Sequence, residues 1–161
     1  MDYYSQAPIQ TREILCPRHL SELRPIPDKL KQRPIVIAIS LHNQANSLGS
    51  ALQSAIEQTA VYKEQATVLI LDDHSNDNWR EINEHLLSHP SIAIIQGHCG
   101  SPARTRNALL DYVDENFQSR WVCRLDADDQ LATPDSVEAL CQTGETANCD
   151  YVIGSNALIL N

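Results

Sequence analysis

From Pro34 onward the chain alternates two hydrophobic patterns. Short unbroken apolar runs occur at PIVIAIS (34–40), ATVLILD (66–72), SIAIIQG (91–97) and RWVCRLD (120–126). These predict strands covered on both faces. DYVIGSNALIL (150–160) predicts a fifth strand, or a strand broken at Gly154. Between the runs, apolar residues recur at helical spacing. Ala45, Leu48, Ala51, Leu52, Ala55 and Ile56 mark one helix. Asn78 and Glu81 form a capping box that opens a second, with Trp79, Ile82 and Leu86 on one face. Ser101-Pro102 caps a third, continued by Leu109, Tyr112 and Val113. Thr133-Pro134 repeats that start, with Asp135 and Glu138 in the first turn. Strict alternation implies an α/β fold, a mostly parallel sheet with helices on both faces. Residues 1–33 differ, being punctuated by Pro8, Pro17, Pro25 and Pro27, with one helix-like piece at Leu15–Leu23. They predict an extension or linker, either free or packed on a domain spanning 34–161.

Such sheets bind ligands at the carboxyl ends of their strands, near a switch in strand order. The polar residues gather there. Ser40, His42 and Asn43 follow the first strand, and Asp72 and Asp73 follow the second. Gly97, His98 and Gly100 follow the third; Asp126, Asp128 and Asp129 follow the fourth. Composition sharpens this picture. At 161 residues, with 42% hydrophobic and 20% charged, the chain suits one globular domain. Formal net charge is -9, and only six of the twelve basic residues lie beyond residue 33, against seventeen of the twenty-one acids. Bulk charge therefore excludes nucleic-acid binding, and an anionic ligand needs local groups or a metal. No apolar run is long enough to span a membrane. MDYYSQAPIQTRE lacks the layout of a secretion signal, so the cytoplasm is the expected location. Five cysteines, Cys16, Cys99, Cys123, Cys141 and Cys149, show no CxxC spacing and read as reduced thiols.

Each cluster has a plain reading beside a chemical one. Asp72–Asp77 is either a solvated turn or a strand-end carboxylate accepting from a ligand N–H, such as a nucleobase imide. The helix start at Gly100–Asn107 is either an ordinary capped helix or an anion site built from free N–H groups and the helix dipole. Arg104 and Arg106 cannot share a face of it. Asp126, Asp128 and Asp129 are either a surface turn or a divalent-cation half-site. If strand geometry persists, Asp126 and Asp128 project to one side. Mg²⁺ and Mn²⁺ are held by one or two carboxylates plus substrate phosphates. The EF-hand loop pattern is absent. A phosphotransferase with an aspartate nucleophile ranks below these readings.

Together these stretches resemble the family 2 glycosyltransferases of the GT-A fold. The carriers are AISLHNQANSLGSALQSAIEQT, LILDDHSND, GSPARTRNALL and LDADD, in that order over about residues 33–161. The resemblance implies a Rossmann-like, GT-A type donor-binding half. It implies metal-dependent transfer of a sugar from a nucleotide-diphosphate donor of UDP or GDP type to an acceptor hydroxyl, with inversion. Ser40, His42, Asn43, Asp72 and Asp73 would hold the nucleoside, with Asp72 meeting the base and Arg106 on the nucleotide side. Asp126 and Asp128 would serve the ribose and the Mn²⁺ or Mg²⁺ that bridges the diphosphate. Ser40-Leu41-His42 and Ala108-Leu109 depart from the family pattern. The family's general base lies well after its Asp-x-Asp, and Asp135, Glu138 and Glu145 are poor substitutes. The chain thus reads as incomplete at its C-terminus, and the alternative is a non-catalytic nucleotide-sugar-binding module or inactive fragment.

Overall fold

The computed structural model describes residues 20–154. Five strands form one sheet: β1 (Ser21–Glu22), β2 (Ile35–Leu41), β3 (Ala66–Asp73), β4 (Ile92–Gly97) and β5 (Trp121–Asp126). Their order is β1-β4-β3-β2-β5. β2, β3, β4 and β5 run parallel, and only β1 pairs antiparallel, along β4. From β2 the chain builds outward to β3 and β4, then returns to place β5 on the other side of β2. The switch in strand order lies between β2 and β5, with Ser40 opposite Asp126.

The central strands β2 and β3 are buried almost throughout because helices cover both faces. Ile37, Ile39, Val68 and Ile70 pack on one side with Leu48, Ala51, Leu52 and Ala55 of α2 (Ala45–Ile56). Val36, Ala38, Leu69 and Leu71 face Ala108, Leu109, Tyr112 and Val113 of α6 (Pro102–Asn116). Each fully buried Leu or Ile contributes about 1.5–3 kcal/mol, so the sheet and these two helices dominate the core. α7 (Ser136–Ala147) lies against β5, where Gly144 lets Trp121 approach so closely that an added Cβ would overlap its ring.

Four expectations change. Residues 20–33 are part of the domain. Ser21–Glu22 is an edge strand rather than helix, and Ile26 and Leu30, the latter in α1 (Asp28–Lys31), are buried in the core. Glu22 accepts from Ile26 N, Lys31 Nζ and Tyr112 Oη, each at 2.8 Å, and Arg33 is buried on the carbonyl of Ala66. Proline punctuation hid these anchors. The rest of the Leu15–Leu23 piece lies outside the described residues. Second, Asn78 makes no side-chain cap, and the helix divides at Asn83 into α4 (Trp79–Ile82) and α5 (Glu84–Leu87). The buried Asn83 amide donates to the carbonyls of Ala45 and Trp79, tying α4 to α2 instead. Third, Thr133-Pro134 forms a turn before α7 because its carbonyls are already engaged. Pro134 O accepts from Thr59 N, in α3 (Thr59–Tyr62), and Thr133 O from Gln58 Nε2. Fourth, 150–154 is not strand; 155–161 lie outside the described residues.

Gln58 is 1% exposed. Its amide donates to Ser54 O and Thr133 O and accepts from Val137 N. Gln58→Leu keeps the bulk but orphans the Thr133 carbonyl and the Val137 N–H. Urea denaturation is expected to show a loss of about 1–3 kcal/mol; unchanged stability would remove this clamp from the account.

Candidate active site at the carboxyl edge of the sheet

At the switch point three expected residues meet. Arg106 grips Asp126 as a fork, Nε donating to Oδ1 at 3.2 Å and Nη2 to Oδ2 at 2.5 Å. Ser40 Oγ reaches Asp126 Oδ1 at 3.4 Å. The hydrogen bond to Asp126 raises the Arg106 guanidinium above its ordinary pKa against the cost of burial, with the Asp126 and Asp128 charges adding to it. Arg104 is exposed and meets Ser101 through its backbone N–H. The structure thus brings Arg106 rather than Arg104 to the aspartates. β5 ends at Asp126, and Asp129 N donates to Asp126 O at 3.0 Å. A turn, not continued strand, therefore carries Asp128, which is exposed, while Ala127 is buried. The expectation that strand geometry aligns Asp126 with Asp128 fails for that reason.

Asp72 and Asp73 are the buried last residues of β3. Pleating sends them to opposite faces. Asp72 accepts from Ser75 N at 2.9 Å and from Arg80 Nη2 at 3.2 Å. Asp73 accepts from Thr105 Oγ1 at 2.7 Å, Gly100 N at 3.3 Å and Cys99 N. Both Asp73 oxygens are consumed inside the protein. Expected on the nucleotide, it instead fixes the loop that starts α6, which carries Arg106. Gly100, at φ 76°, supplies the left-handed turn that this loop requires. Burial first, and the Asp73 carboxylate second, push the Cys99 thiol up to about 11, so it is no nucleophile at neutral pH.

The loops after β2 and β3 are stitched together. His42 Nδ1 donates to Asp73 O at 2.6 Å, and its Nε2 lies 3.2 Å from Asn43 Nδ2. Asn43 (φ 52°) and His74 (φ 56°) adopt left-handed turns. Asn43 N donates to Ser75 Oγ, and Asn76 N to Asn43 Oδ1. Asp77 accepts from Ala45 N, capping α2 from the neighbouring loop. Beside this lies a groove of about 630 Å³, lined by Asp72, His74, Arg80, Gln96 and His98 among others. Arg80, Gln96 and Thr105 were not legible as site residues, because each reads as an ordinary helix or strand position.

Among the described residues, no three His, Cys, Asp or Glu side chains gather as a metal site. Asp126 and Asp128 supply only hard oxygen donors, the set that suits Mg²⁺ or Mn²⁺ when ligand phosphates complete the shell. The residues fit as a half-site.

A mostly parallel sheet with this acidic turn beside a capped helix start defines an α/β domain of the GT-A type. Glycosyl transferase family 2 matches residues 36–159, and the chain belongs to that family. The minor teichoic acid biosynthesis protein GgaA of Bacillus subtilis (strain 168) is 30% identical over 98 residues, covering 60% of this chain and 22% of that protein. TarS of S. aureus, residues 1–349, superposes with a TM-score of 0.59 at 19% identity, over 71% of this chain and 33% of that one. TarS has also been solved with UDP-GlcNAc. The mannosyltransferase PcManGT of Pyrobaculum calidifontis, with GDP-Man and Mn²⁺, gives 0.55 at 17% identity, over 74% of this chain and 35% of that one. The chain thus spans a third or so of these structures and about a fifth of GgaA.

Thr105→Val keeps the shape but removes the hydroxyl that Asp73 accepts from. Urea unfolding is expected to show a loss of about 1–3 kcal/mol, with Thr105→Ser retaining most of the stability; equal stability of Val and wild type would contradict the tether.

Proposed function

We propose that this chain binds a UDP- or GDP-type nucleotide sugar across the carboxyl edge of its sheet. It presents the sugar for Mn²⁺- or Mg²⁺-dependent transfer to an acceptor hydroxyl, with the inversion that the family resemblance implies. The observation that carries this reading is the Arg106–Asp126 fork beside Ser40 at the switch point. Ser40, His42, Asn43 and Asp72 face the nucleoside. Asp126 serves the ribose and, with Asp128, the cation. When bound, the cation supplies Lewis-acid stabilisation of charge on the leaving diphosphate.

Arg106 has two partners in this scheme. Without ligand it neutralises Asp126. With ligand it turns to the diphosphate, whose oxygens match a guanidinium as well as a carboxylate does. That exchange frees Asp126. The α6 N-terminus adds backbone N–H groups and a favourable dipole. Action in the cytoplasm agrees with the free thiols of Cys99, Cys123, Cys141 and Cys149, and no described helix is long and apolar enough to cross a membrane. The alternative reading is a module that binds a nucleotide sugar without transfer. Turnover of a bound donor separates the two.

Asp128→Ala is expected to abolish the metal dependence of UDP or GDP binding, measured by calorimetry with and without Mn²⁺. Arg106→Gln is expected to weaken binding of either nucleotide about tenfold or more through the lost charge-assisted bonds. A full Mn²⁺ effect in Asp128→Ala would refute the half-site.

A further inference from the structure

A second groove, of about 530 Å³, lies over α2 on the side away from the sheet. Its floor is the outward stripe of that helix, from Asn46 through Gly49 and Ser50 to Glu57. One wall is α4 and α5 with Asn83 between them, and the other is the loop 130–134. Both walls are fixed. Leu131 N donates to Ser54 Oγ at 3.1 Å, and Gln58 holds Thr133 O. Asn83 Nδ2 donates to Ala45 O at 3.2 Å and to Trp79 O at 2.8 Å. Those bonds consume both amide protons and settle which way the amide faces. Its Oδ1 accepts from no group among the described residues, although Asn83 is only 2% exposed. Oδ1 faces Gly49, where an added Cβ would stand 2.9 Å from it. The missing side chain leaves this acceptor open to the groove.

Buried acceptors are nearly always bonded, so the open oxygen calls for a donor from outside the chain. The lining narrows its chemistry. No lysine or arginine lines the groove, and its charged or titratable groups are His85 and Glu57, which accepts from Gln53 Nε2. A phosphate-bearing chain would find no cation there. Peptides seated in grooves use apolar anchors, and Ile82 is the one exposed large hydrophobic residue of the lining. The amides of Asn46 and Gln130 and the hydroxyl of Ser50 both donate and accept. That set suits a ring of hydroxyls.

We propose that this groove holds a neutral saccharide chain, one hydroxyl of which donates to Asn83 Oδ1. The site is separate from the nucleotide site and serves binding, not chemistry. It leads to the edge where transfer would occur. Gln130 directly follows the Asp126–Asp129 turn, and Asn46 lies in the first turn of α2. From Asn46 to Glu57 the floor runs about 16 Å, longer than one sugar ring. The ligand is thus a part of the acceptor remote from the reacting hydroxyl. That identification rests on the transfer reading above.

The test is titration of the full chain with maltotetraose and with chitotetraose, without nucleotide or metal, followed by backbone and side-chain amide NMR signals. At least one is expected to bind with Kd on the order of 1 mM, shifting the signals of Gly49 and the Asn83 amide. Gly49→Ala sets a methyl against Oδ1 and is expected to weaken binding at least about fivefold. Ser50→Trp fills the groove from an exposed position and is expected to abolish binding; a thermal melt checks that both variants fold. No saturable shift with either saccharide, or unchanged affinity in a folded Ser50→Trp, overturns the inference. Equally tight binding of a neutral peptide of alternating glycine and serine also overturns it, assigning the groove to polypeptide. UDP and GDP are titrated separately with Mn²⁺. Nucleotide binding without saccharide binding overturns this inference alone, and saccharide binding without nucleotide binding supports it while overturning the nucleotide reading.

Discussion

The site depends on how a carboxylate can end an apolar strand. Asp126 closes β5 beside Ser40 of β2, and Arg106 is what makes that position tolerable. The pair has a forked geometry, yet its side chains are 34% and 32% exposed. Solvent-screened pairs of this kind contribute about 1 kcal/mol or less. Such a bond orients its partners without locking them. A diphosphate carrying more negative charge than one carboxylate can therefore compete for the guanidinium. A fully buried pair could not be opened so cheaply, since either charge left alone would cost several kcal/mol.

Behind the exchangeable pair stands a rigid frame. Asp73 binds Thr105, Cys99 N and Gly100 N, and so sets where α6 begins and where Arg106 points. His42, Asn43, Ser75 and Asn76 lock two loops against one another. Buried carboxylates with every oxygen satisfied rigidify; half-exposed ones remain available. Asp73 and Asp126 illustrate the division. Asp73 is buried and spent on structure, whereas Asp126, 32% exposed, holds a partner it can exchange.

The fold was legible because strands covered on both faces leave an unmistakable apolar run, and α2 shows its buried stripe directly. The edge cluster was legible because parallel topology gathers every strand end on one side. What escaped the sequence was long-range bonding. Asn83 breaks a helix by reaching the carbonyl of Ala45, Gln58 holds Thr133-Pro134 in a turn where a helix start was expected, and Glu22 draws a proline-rich segment onto α6 through Tyr112. Arg80 escaped because nothing in WRE distinguishes a solvated arginine from one turned toward Asp72.

Partner exchange at Asp126 is tested most directly by titrating Mn²⁺ into the full chain, following free Mn²⁺ by electron paramagnetic resonance, with and without UDP or GDP. The account predicts weak uptake alone, while Arg106 holds Asp126, and at least about tenfold tighter uptake with a diphosphate present. Equal Mn²⁺ affinity in both conditions, or no uptake in either, would contradict it.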